Sequence, residues 1–316
     1  MQNKTKVKRA GMRLKTSPLV KPQYAMLCVL PATVVIILAS VIPACVVLGL
    51  TFTNFEGSFA ATDFVGMENW ISFFNGTIGG SSGGAAALLD ATWVTLEYSL
   101  LVIIPMQILA LLSAVVVNRK LYHTSGFFRA LFFLPNILGV TVVTTIWNII
   151  FSTNNGPVYQ FTQWIGWNTS LLGDKNLSII LVSIATVWAG FGFSMAIYLS
   201  GLQGIEKDYY EAADVDGAGT LQKFFRITLP LLVPSITICL WVSLNSTLHV
   251  SDYIYLMTNG AAHTTTLGFF IFDRIINNKL TYGQSSVISL VFFVFVALIM
   301  NGSNSLMKRL EAKYCG

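Results

Sequence analysis

Three groups of residues in this 316-residue chain have types and spacing that could do chemistry. The first is 206–234, EKDYYEAADVDGAGTLQKFFRITLPLLVP, a charged island between two long apolar runs. Asp208 can accept from the free N–H groups at a helix start, and Glu211, three residues on, can close a capping box. Gly217 and Gly219 allow a turn at positive φ. Thr220 can then cap a second short helix that carries Leu221, Phe224 and Phe225 on one face. The second group is Asn245, His249 and Asp252, which with Leu256 recur at helical spacing and put three polar groups on one face of an apolar helix. Within a membrane such a face lines a bundle interior or wet cavity, or hydrogen-bonds to a neighbouring helix. The third is Gly79-Gly80-Ser81-Ser82-Gly83, which fits the G-x-S-x-G pattern of hydrolases. That pattern needs a strand before it and a helix after it. Here it lies in a glycine and serine tract that reads as a flexible linker.

Nothing in the sequence proposes other chemistries. It contains no G-x-x-x-x-G-K-[ST] sequence and no Gly-Lys pair at all, so it has no P-loop of its own for ATP. His123, His249 and His263 are isolated, and no His or Cys pair has metal-ligand spacing. Neither a cofactor nor an enzymatic step is expected of this chain. The four cysteines are scattered, three of them (Cys28, Cys45, Cys239) inside apolar runs, which is no disulfide scaffold.

The elements that must position these groups follow from composition. Hydrophobic residues make up 54% of the chain and charged ones 10%, against roughly a quarter charged in soluble proteins. Apolar runs of about 20 residues recur, which predicts an all-α polytopic membrane protein embedded in lipid. Six spans are expected, at 24–51, 92–117, 130–151, 177–202, 231–256 and 284–307. They form one domain over 24–307, preceded by a basic arm, 1–23, and followed by a short tail, 308–316. Ile42-Pro43-Ala44-Cys45 loosely resembles a lipoprotein cleavage site, but the apolar run continues past Cys45 and reads as an uncleaved span. With both ends inside, sixteen of the nineteen Lys and Arg residues are cytoplasmic and only Lys175, Arg274 and Lys279 are outside. This distribution accounts for the net charge of +5 without nucleic acid and places the 206–234 island in the cytoplasm.

Glu211-Ala212-Ala213, then Asp216-Gly217-Ala218, then Ile227-x-Leu229-Pro230 and Pro234 resemble the EAA loop of permease subunits of ATP-binding-cassette importers. The stretches 64–70 (FVGMENW), 129–135 (RALFFLP) and 252–255 (DYIY) before Thr258-Asn259-Gly260 resemble the carbohydrate-uptake branch, of the maltose-permease type. Two departures stand out. Thr258-Asn259-Gly260-Ala261-Ala262 replaces the Thr-x-Gly-Gly-Pro of many sugar permeases, and the glycine and serine tract looks like an insertion.

The resemblance implies a type I importer permease fold in a prokaryotic plasma membrane, with a cytoplasmic coupling helix. It implies as partners a second EAA-containing permease, a dimer of ATPase subunits that hydrolyse the ATP, and an external solute-binding protein. Glu211, Ala212, Ala213, Asp216, Gly217, Ala218, Leu229 and Pro230 would then couple to the ATPase. Asn245, His249, Asp252, Tyr253 and Tyr255 are the candidates for a sugar path, with Trp188 and Trp241 as further aromatic surfaces and Glu97 as a gate. A permease for another solute such as glycerol phosphate is the alternative within this class. An ion-coupled secondary transporter, relying on Asp252, is the alternative outside it.

Overall fold

The computed structural model describes residues 22–58, 62–78, 84–118, 125–166, 170–277 and 280–314. The basic arm up to residue 21, the Gly79–Gly83 tract, Arg119, Lys120, His123, Lys279 and Cys315 lie outside the described residues. Among the described residues all regular elements are helices, with one isolated bridge between Thr53 and Phe64.

The described residues fall into two compact units, 22–49 and 50–314. In the first, α1 (Pro22–Ile36) runs through a π-helical turn at Ile37–Val41 into α2 (Ile42–Leu50). Pro43 brings no N–H, and its ring would crowd the carbonyl four residues back. Widening the turn, with Ile42 N–H bonded to the Ile37 carbonyl, keeps the helix continuous past it.

The second unit contains α3 (Glu68–Phe74), α4 (Gly84–Asn118), α5 (Ser125–Ile137), α6 (Val140–Phe151), α7 (Pro157–Trp164) and α8 (Ser178–Gln203). These are followed by α9 (Lys207–Val215), α10 (Thr220–Lys223), α11 (Leu229–Leu231), α12 (Val233–Leu248), α13 (Asp252–Met257), α14 (Leu267–Ile276) and α15 (Tyr282–Tyr314). Among the described residues four helices are long and apolar enough to cross a membrane: Met26–Leu50, Ala86–Asn118, Ser178–Gln203 and Tyr282–Lys313. Two bent pairs bring the number to the expected six. α4 begins well before the predicted residue 92. At 1.5 Å per residue it is about 50 Å long, more than the ~30 Å hydrocarbon core requires, so its ends project into water.

Spans three and five are not the single helices that their apolar runs suggest. In span three the chain bends by 96° between α5 and α6. α5 stops two residues after Pro135, Leu138 N–H turns back to the Pro135 carbonyl at 3.2 Å, and Gly139 is extended before α6 begins. Span five bends by 65° where α11 meets α12 at Leu232 and breaks again over 249–251, before α13. The second break is held from other elements. Thr266 Oγ1 donates to the Val250 carbonyl at 2.8 Å, and Asn148 Nδ2 donates to the Leu256 carbonyl at 3.0 Å. Non-helical backbone at membrane depth is tolerated where protein groups satisfy it or where it lines a cavity.

α4 and α8 form the centre of this unit. Val94, Tyr98, Val102 and Met106 pack with Ile179, Val182 and Ala185 in one buried cluster, and Tyr98 and Thr186 share a hydroxyl hydrogen bond of 2.7 Å. Helices in lipid associate through close packing and hydrogen bonds rather than through loss of water, which favours small residues at the contacts. One such close contact is at Gly192, midway along α8. A side chain there would begin 2.1 Å from the Phe132 carbonyl oxygen, so α5 and α8 meet backbone to backbone.

Candidate functional site

The island folds as a hairpin of two short helices. α9 starts at Lys207 after Glu206, whose backbone is extended (φ −63°, ψ 140°) and whose side chain caps nothing. The expected capping box between Asp208 and Glu211 therefore does not form. The chain enters the helix two residues earlier than that box requires, leaving Asp208 inside the first turn, where its charge faces the positive end of the helix dipole. The stop is as expected. Gly217 sits at φ +72°, its N–H bonds the Asp214 carbonyl, and Ala218 N–H reaches back to the Ala213 carbonyl at 2.9 Å, completing a Schellman motif. Gly219 is not at positive φ. It is extended (φ −68°, ψ 164°) and is itself the N-cap, so Thr220 becomes the first helical residue rather than the cap.

Two side-chain contacts close the hairpin. Tyr210 and Thr228 share a hydroxyl hydrogen bond of 2.9 Å, and Lys223 Nζ pairs with the Asp214 carboxylate, which is therefore not merely solvated. Glu211, Ala212, Asp216 and Gly217 are exposed, whereas Ala213, Ala218, Leu229 and Pro230 are half-buried. Val215 and Leu221 stand out at 89% and 74% exposed, an apolar tip on a polar element. The anchoring side is carried by Thr228 and by Leu232 at the elbow, which is fully buried with Ala110, Ala114, Tyr198, Leu202 and Cys239.

A second site lies midway along α4 and α8. A cavity of about 240 Å³ opens beside the break in span three. Its polar lining consists of Asn136, Thr186, Ser194, Ser243, Ser246 and Tyr253, set among Val102, Met106 and Val242. None of the lining residues is Lys, Arg, His, Asp or Glu.

Of the five predicted path residues only Tyr253 reaches this cavity. Asn245 is exposed, and its carbonyl is 2.9 Å from the His249 ring. His249 packs on Phe292, Asp252 is exposed and accepts from the Ser251 hydroxyl at 3.2 Å, and Tyr255 packs against Phe269 and Phe272. Helical spacing fails here because the helix is not continuous: α12 ends at Leu248. Trp188 faces a separate apolar groove beside Trp147, Trp241 is exposed, and Glu97 is half-buried outside the cavity lining. The overlooked residues had a signal. Thr186, Gly190 and Ser194 recur every fourth residue, a polar and small stripe on α8, and Pro135-Asn136 inside an apolar run marks a broken helix.

Comparison with known proteins agrees with this architecture. The chain is 30% identical over 264 residues to the multiple sugar-binding transport system permease protein MsmF of Streptococcus mutans, covering 83% of this chain and 87% of that protein. It is 27% identical to the arabinooligosaccharides transport system permease protein AraP of Bacillus subtilis, over 75% of this chain and 74% of the relative. With the sn-glycerol-3-phosphate transport system permease protein UgpA of Salmonella typhimurium it shares 28% identity over 66% of this chain and 67% of that one. Its fold matches a chain of a bacterial ABC transporter involved in the import of the acidic polysaccharide alginate, with a TM-score of 0.73 at 24% identity, covering 91% of this chain and 95% of that one. Residues 92–314 match the family described as binding-protein-dependent transport system inner membrane component. The chain, a multi-pass membrane protein, belongs to that family, the permease subunits of ATP-binding-cassette importers.

Proposed function

We propose that this permease forms half of the solute pathway of an ATP-driven importer for a neutral sugar or oligosaccharide. A second permease with the same loop completes the pathway, two ATPase subunits bind on the cytoplasmic side, and a solute-binding protein docks outside. The observation that carries the choice of solute is the cavity lining, which offers hydroxyl and amide groups and no charge. Sugars match such a surface hydroxyl for hydroxyl, and the Tyr253 ring gives a flat face for a pyranose. The names of MsmF and AraP support the same reading. UgpA favours the alternative, a phosphorylated polyol. A phosphate taken out of water needs a cationic partner, and the lining of this cavity supplies none. An ion-coupled transporter would rely on Asp252, which is exposed and outside the cavity.

The α9 hairpin is the coupling element in this reading. Its exposed face, with Glu211, Ala212, Asp216, Gly217 and the apolar tip at Val215, docks into the ATPase. Ala213 and Ala218 allow the close packing of the corner, and Leu229 and Pro230 join it to the elbow. The ATPases hydrolyse the ATP, and the arrangement of Lys and Arg along the chain supports a cytoplasmic hairpin and cytoplasmic termini.

The test is uptake into vesicles containing the complex purified through this chain, with ATP inside and the solute-binding protein outside. Labelled neutral glycans, glycerol phosphate and an imposed ion gradient are compared. ATP-dependent uptake of at least one neutral glycan is expected. Uptake of glycerol phosphate alone, or uptake driven by the gradient without ATP, would overturn the proposal.

A further inference from the structure

We infer that Gln107 is a latch that ties span five to spans two and four beneath the cavity, and that its release is a step of the transport cycle. Gln107 lies on α4. Its carbonyl oxygen accepts from the Tyr198 hydroxyl of α8. Its amide N–H₂ donates to Ser243 Oγ of α12 at 2.8 Å, with a longer contact to the Cys239 carbonyl at 3.4 Å. Cys239 Sγ in turn donates to the Ser194 carbonyl of α8 at 3.7 Å. One side chain thus joins three helices from residues more than ninety positions apart.

Its position gives the latch its role. Met106, Ser194 and Ser243 line the cavity. Gln107 follows Met106, Tyr198 is one turn beyond Ser194, and Cys239 is one turn before Ser243 on the oppositely running α12, so the bridge closes the end of the cavity nearer the hairpin. Tyr198 and Cys239 also share a buried cluster with Leu232, the elbow between the hairpin's second helix and α12. The hairpin is therefore continuous, through one packed cluster, with the bridge that holds α12 in place. A displaced hairpin swings α12 at the elbow, and α12 cannot leave α4 without giving up the Gln107 amide bonds. An amide is the group that can accept from one helix while donating to another, and in a water-poor interior its loss changes the balance between two packings.

This inference rests on the coupling role proposed for the hairpin, and the test separates the two. The complex purified through this chain is placed in lipid nanodiscs, and ATP hydrolysis is measured with and without the solute-binding protein. Ser243→Ala, which removes the shorter bond to span five and leaves only the longer contact to the Cys239 carbonyl, is expected to raise the unstimulated rate about fivefold and to narrow the stimulation ratio by the same factor. Gln107→Leu, which removes both arms, should exceed it. Unchanged ratios in Ser243→Ala and Gln107→Leu, or stimulated and unstimulated rates that fall together, would overturn the latch. A wild-type complex indifferent to the binding protein would instead overturn the importer reading.

Discussion

The hairpin and the cavity are held in opposite ways. The hairpin is closed by partners near in sequence, Tyr210 with Thr228 at a separation of 18 and Asp214 with Lys223 at a separation of 9, and most of its surface faces water. The cavity is bounded by partners far apart, Gln107 with Ser243 at 136 and Tyr98 with Thr186 at 88. In the proposed reading the hairpin is the handle and the cavity the chamber, and the elbow at Leu232, buried between α4 and α8, lies between them.

The strongest test of the handle is Gly217→Val. Ordinary residues pay about 1–2 kcal/mol in the left-handed region, and β-branched ones more. No atom lies within 4 Å of the new Cβ position, so the damage is confined to the backbone turn. Membrane insertion should be normal while ATP-dependent uptake and binding-protein stimulation are lost, and Gly217→Asn should recover much of both because Asn tolerates this conformation. Full transport by the Val variant would separate the turn from coupling.

The next largest effect belongs to the chamber. Ser246→Arg puts a long cation into an uncharged lining and fills part of a cavity of about 240 Å³, and uptake of neutral glycans should fall at least about tenfold, a loss of about 1.4 kcal/mol. If competition by acidic glycans or glycerol phosphate improves in the same variant, the uncharged lining is what selects the solute. Asn136→Leu is milder. Losing one hydrogen bond to a solute should raise the apparent KM for uptake by about three- to tenfold. Asp252→Asn and Asn245→Ala, both outside the cavity, should leave solute preference unchanged in the same assay.

Smaller effects return to the handle. Tyr210→Phe removes the bond to Thr228 and should loosen the hairpin by about 1 kcal/mol, seen as faster amide hydrogen exchange in α9 with little change in α12. Asp214→Asn should matter least. Its ion pair is open to solvent on the carboxylate side, and such pairs contribute about 0.2–1 kcal/mol and weaken with salt. The wild-type exchange rate should accordingly rise with ionic strength and that of the variant should not.

The sequence is most legible where structure depends on neighbours. Gly217 announces the end of α9, and Pro230 with Pro234 announces the elbow. The apolar runs place six spans, and the glycine stop survives in the structure because it depends only on φ at one residue. The capping box at Asp208 and Glu211 does not survive, because Glu206 can take the extended cap conformation equally well and the helix starts there. Reading Asn245, His249 and Asp252 as one face assumes an unbroken helix. Thr266 and Asn148, which satisfy the carbonyls at and beyond the break, are remote in sequence and send no local signal. Gln107 is likewise an unremarkable polar residue until α8 and α12 are brought beside it.

At Gly192 the two helices touch through their main chains, with no side chain between them to compress. Phe132, on the other side of that contact, lies one turn from Asn136, so the bearing point adjoins the chamber wall. α5 therefore cannot be pressed closer to α8 there, and any side chain placed at Gly192 has to push Phe132, and with it the wall that carries Asn136, outward.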